Sequence, residues 1–249
     1  MKKLFLLILV SAFILLSGGR AFAGDPDGDK KVNTEKKDKL EKDYVVKKKE
    51  FDRLHSSKPI DIYIDYQLGL GTSSANISNA LTSNSYDTKS VLSANTGGIV
   101  HISFFDFVSF TTGVSFVGKS FKFTPPQLDT AAITKFGEGE KSLKSTYLNI
   151  PLYLDFGGML TDKIGLTFTG GPYLGIRLNS EDYDGLAYKN FDLGLSGTLT
   201  GNYVIAYPLN LILGVNFQFG GLNNLASTKF IDHVTTQNFN VFTGLRLWF

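Results

Sequence analysis

The sequence predicts an all-β protein, an eight-stranded antiparallel transmembrane β-barrel of the up-and-down kind. Three observations carry that prediction: period-2 alternation recurs from Pro59 to the last residue, long connections alternate with short ones, and the final run stops on an aromatic, Phe249. An extended chain points successive side chains to opposite faces, so each run offers one apolar face for lipid and one mixed face for an interior.

The first element precedes the barrel. Met1-Lys2-Lys3 is a basic start, Leu4 to Leu16 an apolar stretch, and Ala21-Phe22-Ala23 a small-residue cleavage site, which together predict a secretory signal peptide over 1–23. The 249 residues include no cysteine, so disulfides, thiol chemistry and attachment of lipid through a cysteine are excluded. No later stretch approaches ~18 consecutive apolar residues, so any membrane crossing is by strands. With 21 Phe, 11 Tyr, 26 Gly and a net charge of only +2, the composition suits lipid-facing strands and argues against a nucleic-acid partner.

Residues 24–57 are dense in Lys, Asp and Glu of nearly cancelling sign. This predicts a charged periplasmic segment, disordered or helical, with Leu40, Tyr44, Phe51 and Leu54 spaced for a narrow helical stripe. Asp25-Pro26-Asp27-Gly28-Asp29 resembles the front of a calcium loop. Lys30 stands where the turn needs Gly, however, and Lys36 where the ion needs a bidentate carboxylate.

The barrel is expected over 58–249. In the first strand Ile60, Ile62, Ile64, Tyr66, Leu68 and Leu70 share a face against Asp61 and Asp65. The second alternates Val100, Ile102 and Phe104 with His101 and Ser103, and the third sets Val108, Phe110, Val114 and Phe116 against Ser109 and Thr111. The fourth has Leu148, Ile150, Leu152 and Leu154 opposite Tyr147, Asn149 and Asp155. The fifth runs from Ile164 to Ile176 opposite Tyr173 and Arg177, the sixth from Leu193 to Ile205 opposite Asp192, the seventh from Leu211 to Phe219 opposite Asn216. The last places Phe239, Val241, Leu245, Leu247 and Phe249 on one face and Phe242, Gly244, Arg246 and Trp248 on the other. The long gaps, Thr72 to Gly97, Lys122 to Leu143, Asn179 to Asn190 and Gly220 to Gln237, are expected to be extracellular loops. The short gaps are periplasmic turns, and an even strand number puts both termini in the periplasm. A soluble sandwich would need eight apolar faces in one core. Pro151 and Pro172 fall inside strands, where each removes a ladder hydrogen bond.

At Tyr147-Leu148-Asn149-Ile150-Pro151-Leu152-Tyr153-Leu154 and Gly170-Gly171-Pro172-Tyr173-Leu174-Gly175 the chain resembles the Bacteroidetes-type porin-family outer-membrane barrels, a group that includes the PorT-like proteins of type IX secretion. The resemblance covers roughly Pro59 to Phe249, with Asn149 where the family commonly has an acidic residue. It implies an outer-membrane location and a barrel fold, and it names no substrate.

An eight-stranded barrel is only just wide enough for side chains to fill it. Asp61, Asp65, Asp155, Asp192, Arg177 and Arg246 face inward by parity, so a polar lumen network of paired charges is expected, because unpaired buried charge is costly. Gly244, Leu247 and Phe249 carry the expected barrel-assembly signal. His101-Ile102-Ser103 has the spacing of a lipid deacylase pair, but parity points both side chains inward, away from a lipid substrate. His55 and His233 are expected on opposite sides of the membrane, so the three histidines make no common metal site. No cofactor is expected.

The functional expectation is a non-enzymatic integral outer-membrane barrel with a structural or interaction role and a closed or nearly closed lumen. The alternatives are an accessory barrel of a type IX-like secretion system and a narrow porin-like channel. The expected partners are outer-membrane lipid, the assembly machinery and a periplasmic or extracellular protein.

Overall fold

β-Branched, aromatic and leucine side chains at every second position favour extended backbone, and only a ring of such strands satisfies every backbone group in lipid. The computed structural model describes residues 42, 60–79, 86–105, 107–124, 139–181, 189–226 and 231–249. The chain divides into two units, Met1–Lys47 and Lys48–Phe249; of the first, only Lys42 is described, and it is helical. The predicted signal peptide, the calcium-like loop and His55 lie outside the described residues, as does the charged segment apart from Lys42.

The second unit is built of antiparallel strands: β1 (Asp61–Asn79), β2 (Asp87–Phe105), β3 (Val108–Gly118), β4 (Phe121–Thr124), β5 (Lys141–Pro151), β6 (Tyr153–Met159), β7 (Ile164–Glu181), β8 (Phe191–Ala206), β9 (Leu209–Gly220) and β10 (Ile231–Trp248). β1 pairs with β2 on one side and with β10 on the other, and the series β10, β9, β8, β7 continues to β5 and β6, which return through β3 and β4 to β2. The sheet therefore closes on itself, which removes the exposed edge that an open sheet presents.

Ten strands replace the eight expected. The difference arises at two interruptions. β3 gives way to β4 at Lys119-Ser120, and β5 gives way to β6 at Leu152, directly after Pro151. Pro151 has no N–H to contribute to the ladder, while the Leu152 N–H turns to the Pro172 carbonyl at 3.0 Å. Inward parity survives both breaks, with Val117, Lys119, Phe121 and Phe123 buried in one pass and Tyr147, Asn149, Tyr153 and Asp155 in the other.

The expected long loops are also corrected. Most of Thr72 to Gly97 is strand, since β1 runs on to Asn79 and β2 starts at Asp87; β10 likewise starts at Ile231 and takes in His233. In these outer extensions the apolar phase slips by one residue. Along β1 the outward residues Ile62, Ile64, Tyr66 and Leu68 are exposed and apolar, but higher up it is the inward Ala75 and Ile77 that are apolar and buried. With Tyr86, Phe121, Phe123, Leu143, Leu225, Ile231 and Val234 they form an apolar cluster inside the far end of the barrel. Leu225 reaches it from the turn after β9. Asn224 holds that turn, with its Oδ1 accepting from the Ala226 and Val234 backbone N–H groups at 3.0 Å each and its φ of 51° in the left-handed region that Asn tolerates.

Candidate functional site

Below the apolar cap the interior is polar, and two charged clusters cross it. In the lower one, Arg246 of β10 donates two hydrogen bonds to Asp65 of β1, Nε to Oδ1 at 2.7 Å and Nη2 to Oδ2 at 2.8 Å. The register places them directly opposite each other, so a forked guanidinium meets a carboxylate in bidentate geometry. His101 of β2 faces carboxylates with both ring nitrogens, Nε2 at 3.2 Å from Asp65 and Nδ1 at 2.5 Å from Asp155 of β6. Thr111 of β3 donates to the same Asp155 oxygen at 2.5 Å. Tyr63 stacks on the His101 ring with centroids 4.3 Å apart, and the Arg246 guanidinium lies over the Tyr63 ring, 4.3 Å from its centroid. Strands separated widely in sequence are thus pinned across the lumen.

The upper cluster centres on Lys119, at the junction of β3 and β4. Its ammonium pairs with Asp192 of β8 and donates to the Tyr173 hydroxyl at 2.8 Å, and Tyr173 donates to Asp192 at 3.1 Å. The ammonium also lies 4.6 Å from the Tyr173 ring centroid and 5.0 Å from that of Tyr147, so aromatic faces take the place of solvent. The second Asp192 oxygen accepts from the Gly221 backbone N–H at 2.6 Å. Gly220 makes room here, since a Cβ would stand 2.6 Å from Asp192 Oδ2 and 2.7 Å from Tyr173 Oη.

Between the clusters lies a layer of carboxamides and hydroxyls: Asn95, Asn149, Asn216, Gln218, Asn238 and Asn240. Asn149 donates to Gln218 at 3.2 Å, and Asn216 donates to Ser196 at 2.8 Å and to Thr198 at 2.7 Å. A cavity of about 50 Å³ remains there, with His101 and Thr111 in its lining; a second of about 60 Å³, lined by Asp155, Arg246 and Tyr63, sits on the other side of the lower cluster. The lower cluster is therefore a partition one side-chain layer thick.

Of the six charges predicted to share one network, Asp65, Asp155 and Arg246 meet in the lower cluster and Asp192 joins the upper. Arg177 lies near the β7–β8 connection, where its Nη2 donates to Asn190 at 3.0 Å. Asp61 stands at the start of β1, with Oδ1 making no hydrogen bond. Sequence pattern alone singles out His101 only as a candidate catalytic residue, and it passes over Lys119. His101 lies in the lumen, and the Ser103 hydroxyl is 2.5 Å from that of Ser109. Lys119 carries one usable signal: it continues the odd parity of Ser109 and Thr111, which marks it as inward. Gly244 and Leu247 lie in β10, and the Phe249 N–H reaches the Ile62 carbonyl at 3.0 Å. Among the described residues, no group of three or more His, Asp or Glu side chains is placed to hold a metal ion.

On the outside, the same strands present Phe239, Val241, Leu245 and Leu247, Leu213 to Phe219, Leu166 and Phe168, and Leu152 to Phe156, with their apolar side chains exposed. A closed strand ring wearing an apolar belt and filled with paired charges is the architecture of a lipid-embedded barrel. The model of the outer membrane protein beta-barrel domain matches residues 52–227. The chain belongs to that family. Membership implies the outer membrane as its location. Among solved structures, the outer membrane protein OprG from Pseudomonas aeruginosa is similar at 14% identity over 77% of this chain and 97% of its own, with a TM-score of 0.47. The outer membrane protease OmpT from Escherichia coli is similar at 11% identity over 77% and 98%, with a TM-score of 0.41. Ail, the attachment invasion locus protein of Yersinia pestis, is similar at 11% over 75% and 99%, with a TM-score of 0.35. No curated protein matches the sequence.

Proposed function

We propose that this protein is a non-conducting, non-enzymatic outer-membrane barrel that works through its water-exposed outer end and through the lipid around it. The observation that carries this reading is the sequence of obstructions along the lumen. The Asp65–Arg246–His101–Asp155 partition, the carboxamide layer, the Lys119–Asp192–Tyr173 cluster and the apolar cap stand one above another. A hydrated ion crossing this interior would have to break both charge-assisted networks and then enter an apolar plug. In this reading 1–23 is a signal peptide, both chain ends face the periplasm, and the assembly machinery takes up the final strand through Gly244, Leu247 and Phe249.

The test is single-channel recording of the purified protein in planar bilayers. The expected record shows no stable conductance steps, whereas reproducible steps would favour the narrow-channel alternative. The accessory-export alternative draws its support from the resemblance to PorT-like barrels and from the charged segment 24–57, most of which precedes the family-matched region. If deleting the gene left exported proteins stranded in the periplasm, that alternative would replace the stand-alone reading.

A further inference from the structure

The lower cavity is walled by charged groups whose bonding capacity is only partly used. It holds about 60 Å³ beneath the Asp65–Arg246–His101–Asp155 partition, and the exposed Phe107 and Met159, at the β2–β3 and β6–β7 connections, mark its mouth. Asp155 lines it and is only 2% exposed. Its Oδ2 accepts from Thr111 and meets His101 Nδ1, yet its Oδ1 finds no hydrogen-bond partner among the described residues. A buried carboxylate oxygen without a donor is costly, so this atom calls for a ligand or water that donates to it.

Arg246, on the same cavity, has the opposite surplus. Of the roughly five N–H donors of a guanidinium, Asp65 takes one from Nε and one from Nη2, so Nη1 remains to donate. The hydroxyls of Ser103 and Ser109, 2.5 Å apart, also line the space. Tyr63 and Trp248, with ring centroids 4.6 Å apart, close one side in aromatic surface. The room itself comes from β6, where Gly157 follows Asp155 on the inward face and adds no side chain.

Size and charge together select the occupant. At roughly 10–15 Å³ per water-sized group, a cavity of about 60 Å³ admits about four to six non-hydrogen atoms. His101 faces a carboxylate with each ring nitrogen, the bonding of an imidazolium that donates from both. The charges of Asp65, Asp155, Arg246 and His101 then sum to zero, and Asp61 stands outside the lining, at the start of β1. A lone cation or anion would bring uncompensated charge into this interior, whereas a molecule carrying both signs would not.

We infer that the lower cavity binds a small zwitterion of the size of glycine, its ammonium donating to Asp155 Oδ1 and its carboxylate accepting from Arg246 Nη1. In the orientation of the proposed function the mouth faces the periplasm, and the ligand arrives from that side. The site itself stands on the cavity alone, so conducting steps or the reverse orientation would leave it in place.

The experiment measures retention of radiolabelled glycine by the full-length protein in phosphatidylcholine nanodiscs, with unlabelled competitors. Wild type is expected to show saturable binding. Glycine should compete at least ~10-fold better than acetate or methylammonium, each of which offers one charge only, and tryptophan, too large for the space, should not compete. D155N is expected to weaken binding at least ~10-fold through loss of the charged acceptor. T167M fills the cavity from β7 without altering a charged residue and is expected to abolish binding, while S115A, which lines the other cavity, should leave it unchanged. No saturable binding by wild type would mean that the cavity holds water only and would overturn the inference. Equal competition by methylammonium and glycine would replace the zwitterion by a simple cation, and full binding by T167M would place the ligand elsewhere; either result overturns it. Wild-type circular dichroism in T167M separates a filled cavity from lost folding.

Discussion

The same strands build two opposite kinds of core. In the lower stretch of β1, β2 and β10 the outward face is Ile, Leu, Val and Phe while the inward face holds Asp65, His101 and Arg246; in the upper stretch the outward face is Ser74, Asn76 and Gln237 while the inward face holds Ala75, Ile77 and Val234. The difference follows from what surrounds the wall. Against lipid there is no gain in turning apolar groups inward, so the interior takes polar side chains, and the charges at its centre, Asp65 with Arg246 and Lys119 with Asp192, are paired. Against water the hydrophobic effect returns and the interior becomes an ordinary apolar core. One barrel therefore records the position of its membrane boundary as a one-residue slip in hydrophobic phase.

The largest expected effect comes from breaking the lower core. Asp65→Ala leaves Arg246 buried without its carboxylate and should cost about 3–5 kcal/mol, whereas replacing both partners by apolar residues of similar volume should cost far less. Urea unfolding in detergent, followed by the fluorescence of the single tryptophan, Trp248, reports on this directly, because its ring lies 4.6 Å from that of Tyr63.

A matched pair of lysine substitutions sharpens the boundary. Val241→Lys, in the middle of the belt, should cost about 2–4 kcal/mol in a bilayer, while Asn76→Lys, on the outer wall above it, should fall within about 0.5 kcal/mol. Equal costs in folding titrations into vesicles would remove that boundary. A milder change probes the cap. Ile77→Val deletes one buried methylene from an apolar core and should cost about 1 kcal/mol, visible as faster hydrogen exchange around Phe121 and Leu143 with the lower strands unaffected.

Sequence parity was enough to assign the outward and inward faces through the belt, because a lipid exterior and a polar interior give every strand the same phase. The outer extensions were not legible by that rule. Ser74, Asn76 and Ser78 occupy the outward positions that lipid would fill with apolar side chains, so the stretch reads as a loop, although Ala75 and Ile77 keep the period with the opposite sign. The strand count missed the two breaks because a period-2 pattern passes unaltered through Lys119-Ser120 and Leu152. Which inward charges meet depends on register between strands. Asp65 and Arg246 are opposite partners across a closure that joins the first strand to the last, and no local pattern records it.

The smallest effect lies at the exposed rim. Hydrogen bonds from Lys122 and then Lys89 depress the Glu140 carboxyl to about 2 from an ordinary 4.5, so its contribution is present above pH 4.5 and is lost as pH falls through about 2. The Glu140 hydrogen bond raises Lys89, so that side of the pair is present below 10.5 and is lost as pH rises through the elevated value. Both groups are exposed and screened, so the difference between wild type and Glu140→Gln in unfolding midpoint should be slight at pH 7 in low salt. It should vanish by about pH 2 or at about 1 M salt.

The chain contains no cysteine, so a single introduced thiol reports on one place in the wall. The most direct measurement is labelling of Asn76→Cys and Val241→Cys in intact cells with a membrane-impermeant maleimide. The inverted-core account predicts that the thiol at position 76 is labelled and the thiol at position 241 is not. Labelling of 241 with 76 protected, or of both alike, would contradict it.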